Sequence, residues 1–145
     1  MKGKAIELLT RQPEGGINVT GIRAVVAHLA LDPAGWNQRS FSGTSVLDHR
    51  RVAYCFAAWT LILAGHDIEQ LLQEDISRIP VQVAAMLGLS RRQINQLIMW
   101  GVDADPHPTI EQFKEFITVT TGVLFDASEF DYSHWAPARV LVGAA

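Results

Sequence analysis

The chain has 145 residues, 48% of them hydrophobic and 19% charged, with a formal net charge of −3. That balance excludes an intrinsically disordered chain and provides enough apolar material for one domain spanning residues 1–145. It also argues against a surface built throughout for nucleic acid, and the single cysteine, Cys55, excludes an internal disulfide and any multi-cysteine zinc site.

The first predicted element is a helix over Lys4–Arg11, closed by the breaker cluster Gln12-Pro13-Glu14-Gly15-Gly16. A second helix is predicted over Gly21–Leu31, because Ile22, Val25, Val26 and Leu29 recur at i, i+3, i+4 and i+7. Thr20 suits its N-cap, and Asp32-Pro33 stops it. Pro33 to Leu47 reads as an irregular loop pinned to the core by Trp36 and Phe41. The run Val52–Gly65 holds no charge in fourteen residues and predicts a central helix over about Asp48–Gly65, enclosed by the others. Asp67–Ser77 reads as a short polar helix, and Pro80 suits the first position of a helix continuing over Val81–Leu87. Gly88-Leu89-Ser90 separates it from a helix over Arg91–Trp100. Ser90 with Gln93, and Thr109 with Gln112, are capping-box patterns that open this helix and the next, Ile110–Thr120. Asp103–Pro108 between them reads as a rigid loop, and the tail from Gly122 as irregular chain carrying Phe125, Phe130, Tyr132 and Trp135. The fold class is therefore all-α: a compact bundle of about five to seven short helices around a central apolar helix (about 48–65), with an irregular C-terminal tail.

The apolar run does not span a membrane. At 1.5 Å per residue it covers roughly 21 Å, against about 30 Å of bilayer core, and charges at Arg50, Arg51 and Asp67 block its extension. Met1–Arg11 lacks a secretory apolar stretch, so the expectation is a cytoplasmic chain without membrane contact.

Three segments, VVAHLALDPAGWNQRSF (25–41), YCFAAWTLILAG (54–65) and AAMLGLSRRQINQLI (84–98), carry a resemblance. Together they resemble a small all-helical family of actinobacteria and actinobacteriophages with a "WNQ…C.AGW..LAG…LGLT" pattern. The resemblance covers about residues 20–120, leaving 122–145 as a C-terminal extension. It implies an all-α fold and a phage or actinobacterial source, and no activity. This chain departs from the pattern in several places. Asp48-His49 stands near the family's first cysteine, Ala58 replaces a glycine, Phe41 replaces a tryptophan, and Gln93-Ile94 replaces an acidic pair.

The last departure marks the sharpest candidate site. Residues 81–99 fit a helix-turn-helix template, with small Ala84 at the crossing, Gly88 in the turn, and Leu89, Ile94 and Leu97 facing inward. Arg91, Arg92, Asn95 and Gln96 would then project outward, residue types that read guanine and adenine edges or hold phosphates. Against this, two short helices joined by Gly-Leu-Ser also occur in domains that touch no DNA, and Glu69, Glu74 and Asp75 lie just upstream. No metal site is expected: if the central helix is continuous, Asp48-His49 and His66-Asp67 stand about 26 Å apart. No nucleophile elbow, phosphate loop or HExxH motif is present, and Asp103, Asp105 and His107 fit a solvated loop better than an acid–base cluster. Cys55, among apolar neighbours, reads as a small buried hydrophobe.

The leading expectation is a non-enzymatic accessory protein, without cofactor, that binds another protein in a host-interaction or regulatory role. Its partner would be a host or phage protein or a second copy of the chain. Trp100, Tyr132 and Trp135 are the interface candidates, because aromatics in excess of a small core suggest a contact surface. The alternative is a DNA-binding regulator using Arg91, Arg92, Asn95 and Gln96.

Overall fold

The computed structural model describes residue 9, residues 16–103 and residues 108–125. Helix α1, Val19–Leu31, starts at Asn18, whose Oδ1 accepts from the Gly21 amide at 2.9 Å. The expected cap, Thr20, lies one residue inside the helix. The apolar stripe is as the spacing requires: Ile22, Val25, Val26 and Leu29 are all buried. Asp32 ends α1, and Pro33–Gly35 forms one 3₁₀ turn.

The central helix is shorter than expected. Helix α2 is Phe56–Leu63, so the 48–65 reading is corrected at its N-terminal end by eight residues of non-helical chain. Strand β1, Gly43–Thr44, pairs antiparallel with β2, Val52–Ala53, with Gly43 opposite Ala53 and Thr44 opposite Val52. The premise of one helix between His49 and His66 fails with it. Local chemistry explains the break. Ser45 Oγ accepts from the Asp48 amide (3.0 Å) and Asp48 Oδ1 from the Arg50 amide (3.1 Å), turns that compete with helix. The Arg51 guanidinium forks onto Asp32 at 3.0 and 2.9 Å, tying this turn to the end of α1. Tyr54 spends its backbone groups on the earlier loop: its amide donates to Gly35 O and its carbonyl accepts from the Asn37 amide.

Four more helices follow: α3 (Ile68–Glu74), α4 (Arg78–Leu87), α5 (Arg91–Asp103) and α6 (Ile110–Thr121). Pro80 is the third residue of α4, not the first. Thr109 and Gln112 form the expected capping box at α6. Six α-helices and one two-stranded ladder among the described residues make a mostly helical fold. Helix α2 sits at the centre, touching α1, α3, α4 and α5. Phe113 of α6 is fully buried, its ring centroid 5.4 Å from Trp36, 5.5 Å from Phe56 and 5.2 Å from Trp100. This cluster fastens α6 to the loop, to α2 and to α5. A fully buried phenyl ring contributes roughly 1.5–3 kcal/mol before its stacking contacts are added.

Leu9 is helical and buried; the other residues of the helix expected over Lys4–Arg11 lie outside the described residues. The loop residues 104–107 and the tail 126–145 also lie outside it. No described helix is long and apolar enough to cross a membrane.

Candidate nucleic-acid interface

Helix α4 ends because Gly88 adopts φ 68°, ψ 30°, a left-handed conformation that costs a side-chain-bearing residue about 1 kcal/mol or more. The Leu89 amide reaches back to Ala84 O at 3.0 Å, the Schellman closure, and Leu89 is buried beneath the turn. Space demands glycine as well, since a Cβ on Gly88 would collide with the Gly16 carbonyl and come within 3.1 Å of Ile17 Cα. The segment before α1 braces the turn: the Asn18 amide donates to Leu87 O at 2.8 Å and Asn18 Nδ2 to Met86 O at 3.3 Å.

Helix α5 opens with the expected capping box. Ser90 Oγ accepts from the Gln93 amide (3.0 Å), and Gln93 Oε1 accepts from the Ser90 amide (2.9 Å). The inward faces of the pair, Ile79, Val83, Ala84, Leu87, Leu89, Ile94 and Leu97, are all buried. On the outward face Arg91, Arg92, Asn95, Gln96 and Met99 are exposed. The four residues singled out from the sequence therefore share one solvent-facing surface at the start of α5. Neither arginine has an ion-pair partner among the described residues.

Two arginines in a helix's first turn face the positive end of its dipole, where carboxylates are favoured, so they weaken the fold by a few tenths of a kcal/mol each. The same placement suits an arriving phosphate, which the helix end and both guanidinium groups attract together. The acidic residues upstream do not neutralise this patch. Glu74 and Asp75 lie beyond the far end of α4, about 15 Å of helix away, more than the screening length of about 10 Å at 0.1 M salt.

The sequence reading missed the residue that positions α5. Gln38 is 5% exposed, and its side chain makes three hydrogen bonds. Its Oε1 accepts from Trp36 Nε1 (2.9 Å) and from the Phe56 amide (3.0 Å), and its Nε2 donates to Leu97 O (3.0 Å). Cys55, at the N-cap of α2, offers no side-chain bond, so Gln38 caps α2 from 18 residues away and ties it to the middle of α5. The sequence signal was the Trp-Asn-Gln triplet, which sets Gln38 two residues from Trp36 in a loop already expected to be pinned to the core.

Trp100 lies partly buried, stacked on Phe116 (5.5 Å between ring centroids) and tilted against Phe113. Tyr132 and Trp135 lie outside the described residues. Gln93 Nε2 donates to Thr120 O at 3.3 Å while Trp100 meets Phe113 and Phe116, so α5 and α6 run antiparallel. An open groove of about 610 Å³ lies between them.

Among the described residues no cluster of three or more His, Cys, Asp or Glu side chains could hold a metal. Burial pushes the Cys55 thiol up to about 11, which leaves it protonated and weakly nucleophilic. A cavity of about 360 Å³ beside Trp36 and Leu47 has no ionisable side chain among the described residues that line it. Asp105 and His107 lie outside the described residues. No protein-family model matches the chain, and no curated protein or solved structure matches it at a significant level.

Proposed function

We propose that this chain is a non-enzymatic, helix-turn-helix DNA-binding protein that presents α5 to the major groove. The carrying observation is the joint geometry of the turn and its outward face. A left-handed glycine and a capped α5 leave Asn95, Gln96 and two arginines that have no ion pair among the described residues on one exposed surface. In this reading Arg91 and Arg92 take phosphates or guanine edges, and Asn95 and Gln96 take adenine edges. The net charge of −3 predicts weak non-specific binding, so affinity would depend on this one patch.

The test is duplex-DNA binding by the full chain, followed by fluorescence anisotropy over a salt series. Two phosphate contacts contribute about −1.8 to the slope of log K against log salt, and Arg91→Ala/Arg92→Ala should remove that share. No binding near about 50 mM salt, or a double variant with an unchanged slope, would refute the reading. The protein-binding reading stands second. It is favoured by the half-exposed Met99 and the exposed Val119 on the rim of the α5–α6 groove.

A further inference from the structure

The face shared by α5 and α6 carries both signs of charge with apolar surface between them. Met99 (53% exposed) and Val119 (79% exposed) rise above the half-buried Trp100 and Phe116. Arg92 lines the groove at the start of α5, level with the end of α6, because Gln93 bonds Thr120 O. Glu115 is exposed nearer the other end, next in sequence to Phe116, which stacks on Trp100. Lys114 engages Glu111 at 3.4 Å, whereas Glu115 has no ion pair among the described residues. Helical spacing keeps Arg92, Gln96 and Met99 on one strip of α5, and Glu115 one turn before Val119 on α6.

A partner of a single charge sign would be repelled at one end of this face. A second copy turned by a two-fold axis is not. It brings its Glu115 to Arg92 and its Arg92 to Glu115, each contact occurring twice. The register locates the axis. Along the helices Arg92 lies about 1.5 Å to one side of the Thr120 level and Glu115 about 7.5 Å to the other. Their midpoint falls about 3 Å from Thr120, within one residue of Val119, the most exposed large apolar side chain among the described residues. The two helices are 13 and 12 residues long, so the face outlines roughly 400 Å² at about 10 Å per helix width. That is half of the about 800 Å² per partner in a standard interface, which makes the contact weak and concentration-dependent.

We propose that a second copy of this chain docks on the α5–α6 face about a two-fold axis near Val119, with Arg92 of each copy against Glu115 of the other and Met99 and Val119 between them. The consequence for DNA rests on the reading of α5 given above: the dimer withholds Arg92 from phosphate. The dimer itself does not depend on DNA.

Sedimentation equilibrium of the full chain should show monomer near about 1 μM and dimer by about 1 mM. Arg92→Glu and Glu115→Arg should each weaken the dimer about tenfold, and the two combined in one chain should restore it to within about threefold. Both positions are exposed, so neither change disturbs the core. A chain that stays monomeric at about 1 mM, or a combination no stronger than either single variant, overturns the proposal. Mild oxidation of Val119→Cys should link two copies, while Ile76→Cys, equally accessible on another surface, should not; Cys55 is buried and stays out of the reaction. Equal linking at both positions overturns the proposal as well. The oxidised Val119→Cys dimer should bind duplex DNA at least tenfold more weakly than the same protein reduced. Equal affinity of the two forms refutes the shielding of Arg92. Absence of DNA binding in both forms refutes the DNA reading and leaves the dimer standing.

Discussion

Gln38→Leu is the most informative single substitution, because it tests whether one buried amide sets the position of α5. Leucine nearly matches glutamine in volume, so the change leaves little cavity and removes three hydrogen bonds. Each such bond is worth about 1 kcal/mol net, and a donor left buried without a partner costs about 1–3 kcal/mol. Trp36 Nε1 and the Phe56 amide would both be stranded, whereas Leu97 O keeps its place in the α5 ladder. The expected loss is therefore about 3 kcal/mol, a fall in Tm of roughly 6–12 °C for a chain of this size. Urea denaturation followed by tryptophan fluorescence measures it, with the slope unchanged if the denatured state is the same. Gln38→Glu is a useful companion. It keeps an acceptor for Trp36 and Phe56 but loses the donor to Leu97 O and brings a buried charge. A loss below about 1 kcal/mol for Gln38→Leu would refute the reasoning, because the three bonds would then be replaceable by water or by a small shift of the loop.

Two further outcomes follow from local geometry. Gly88→Ala should cost more than about 2 kcal/mol, combining the left-handed backbone with the collision at the Gly16 carbonyl, and urea titration showing under 1 kcal/mol would remove the case for a glycine-specific turn. Cys55 should resist alkylation at pH 8 until the chain unfolds. Its folded thiol is raised from 9.0 to about 11, so that contribution is complete below pH 9 and is lost as pH rises toward 11, by roughly 2–3 kcal/mol. Stability flat across that window would contradict the burial of Cys55.

The proposed function puts its whole demand on the two arginines of α5. The first turn of α5 carries no carboxylate and lies against the positive end of the helix dipole, so it stays electrostatically unfilled within the described fold. Phosphate is an occupant whose charge suits it. This is why the test of DNA binding is read on Arg91 and Arg92.

Where neighbours in sequence decide the conformation, the sequence determined it. The α1 stripe, both capping boxes, the left-handed Gly88 and the inward and outward faces of α4 and α5 follow from spacings of three or four residues and from glycine's lack of a Cβ. The tertiary structure decided what depends on distant partners. Val52–Cys55 is as apolar as the helix that follows it, yet it is extended, because Gly35, Asn37 and Ser40 take the backbone groups of Tyr54 and Cys55, while Ser45 and Asp32 hold Arg51 just before it. Thr20 and Asn18 are both plausible caps by type, and contact with the end of α4 selects Asn18. Gln38 is polar in a polar loop, and nothing in its neighbours reveals that its amide joins α2 to α5. Hydrogen bonds across 18 and 59 residues leave no periodic trace in a sequence, and here they fix where the candidate DNA-reading face stands.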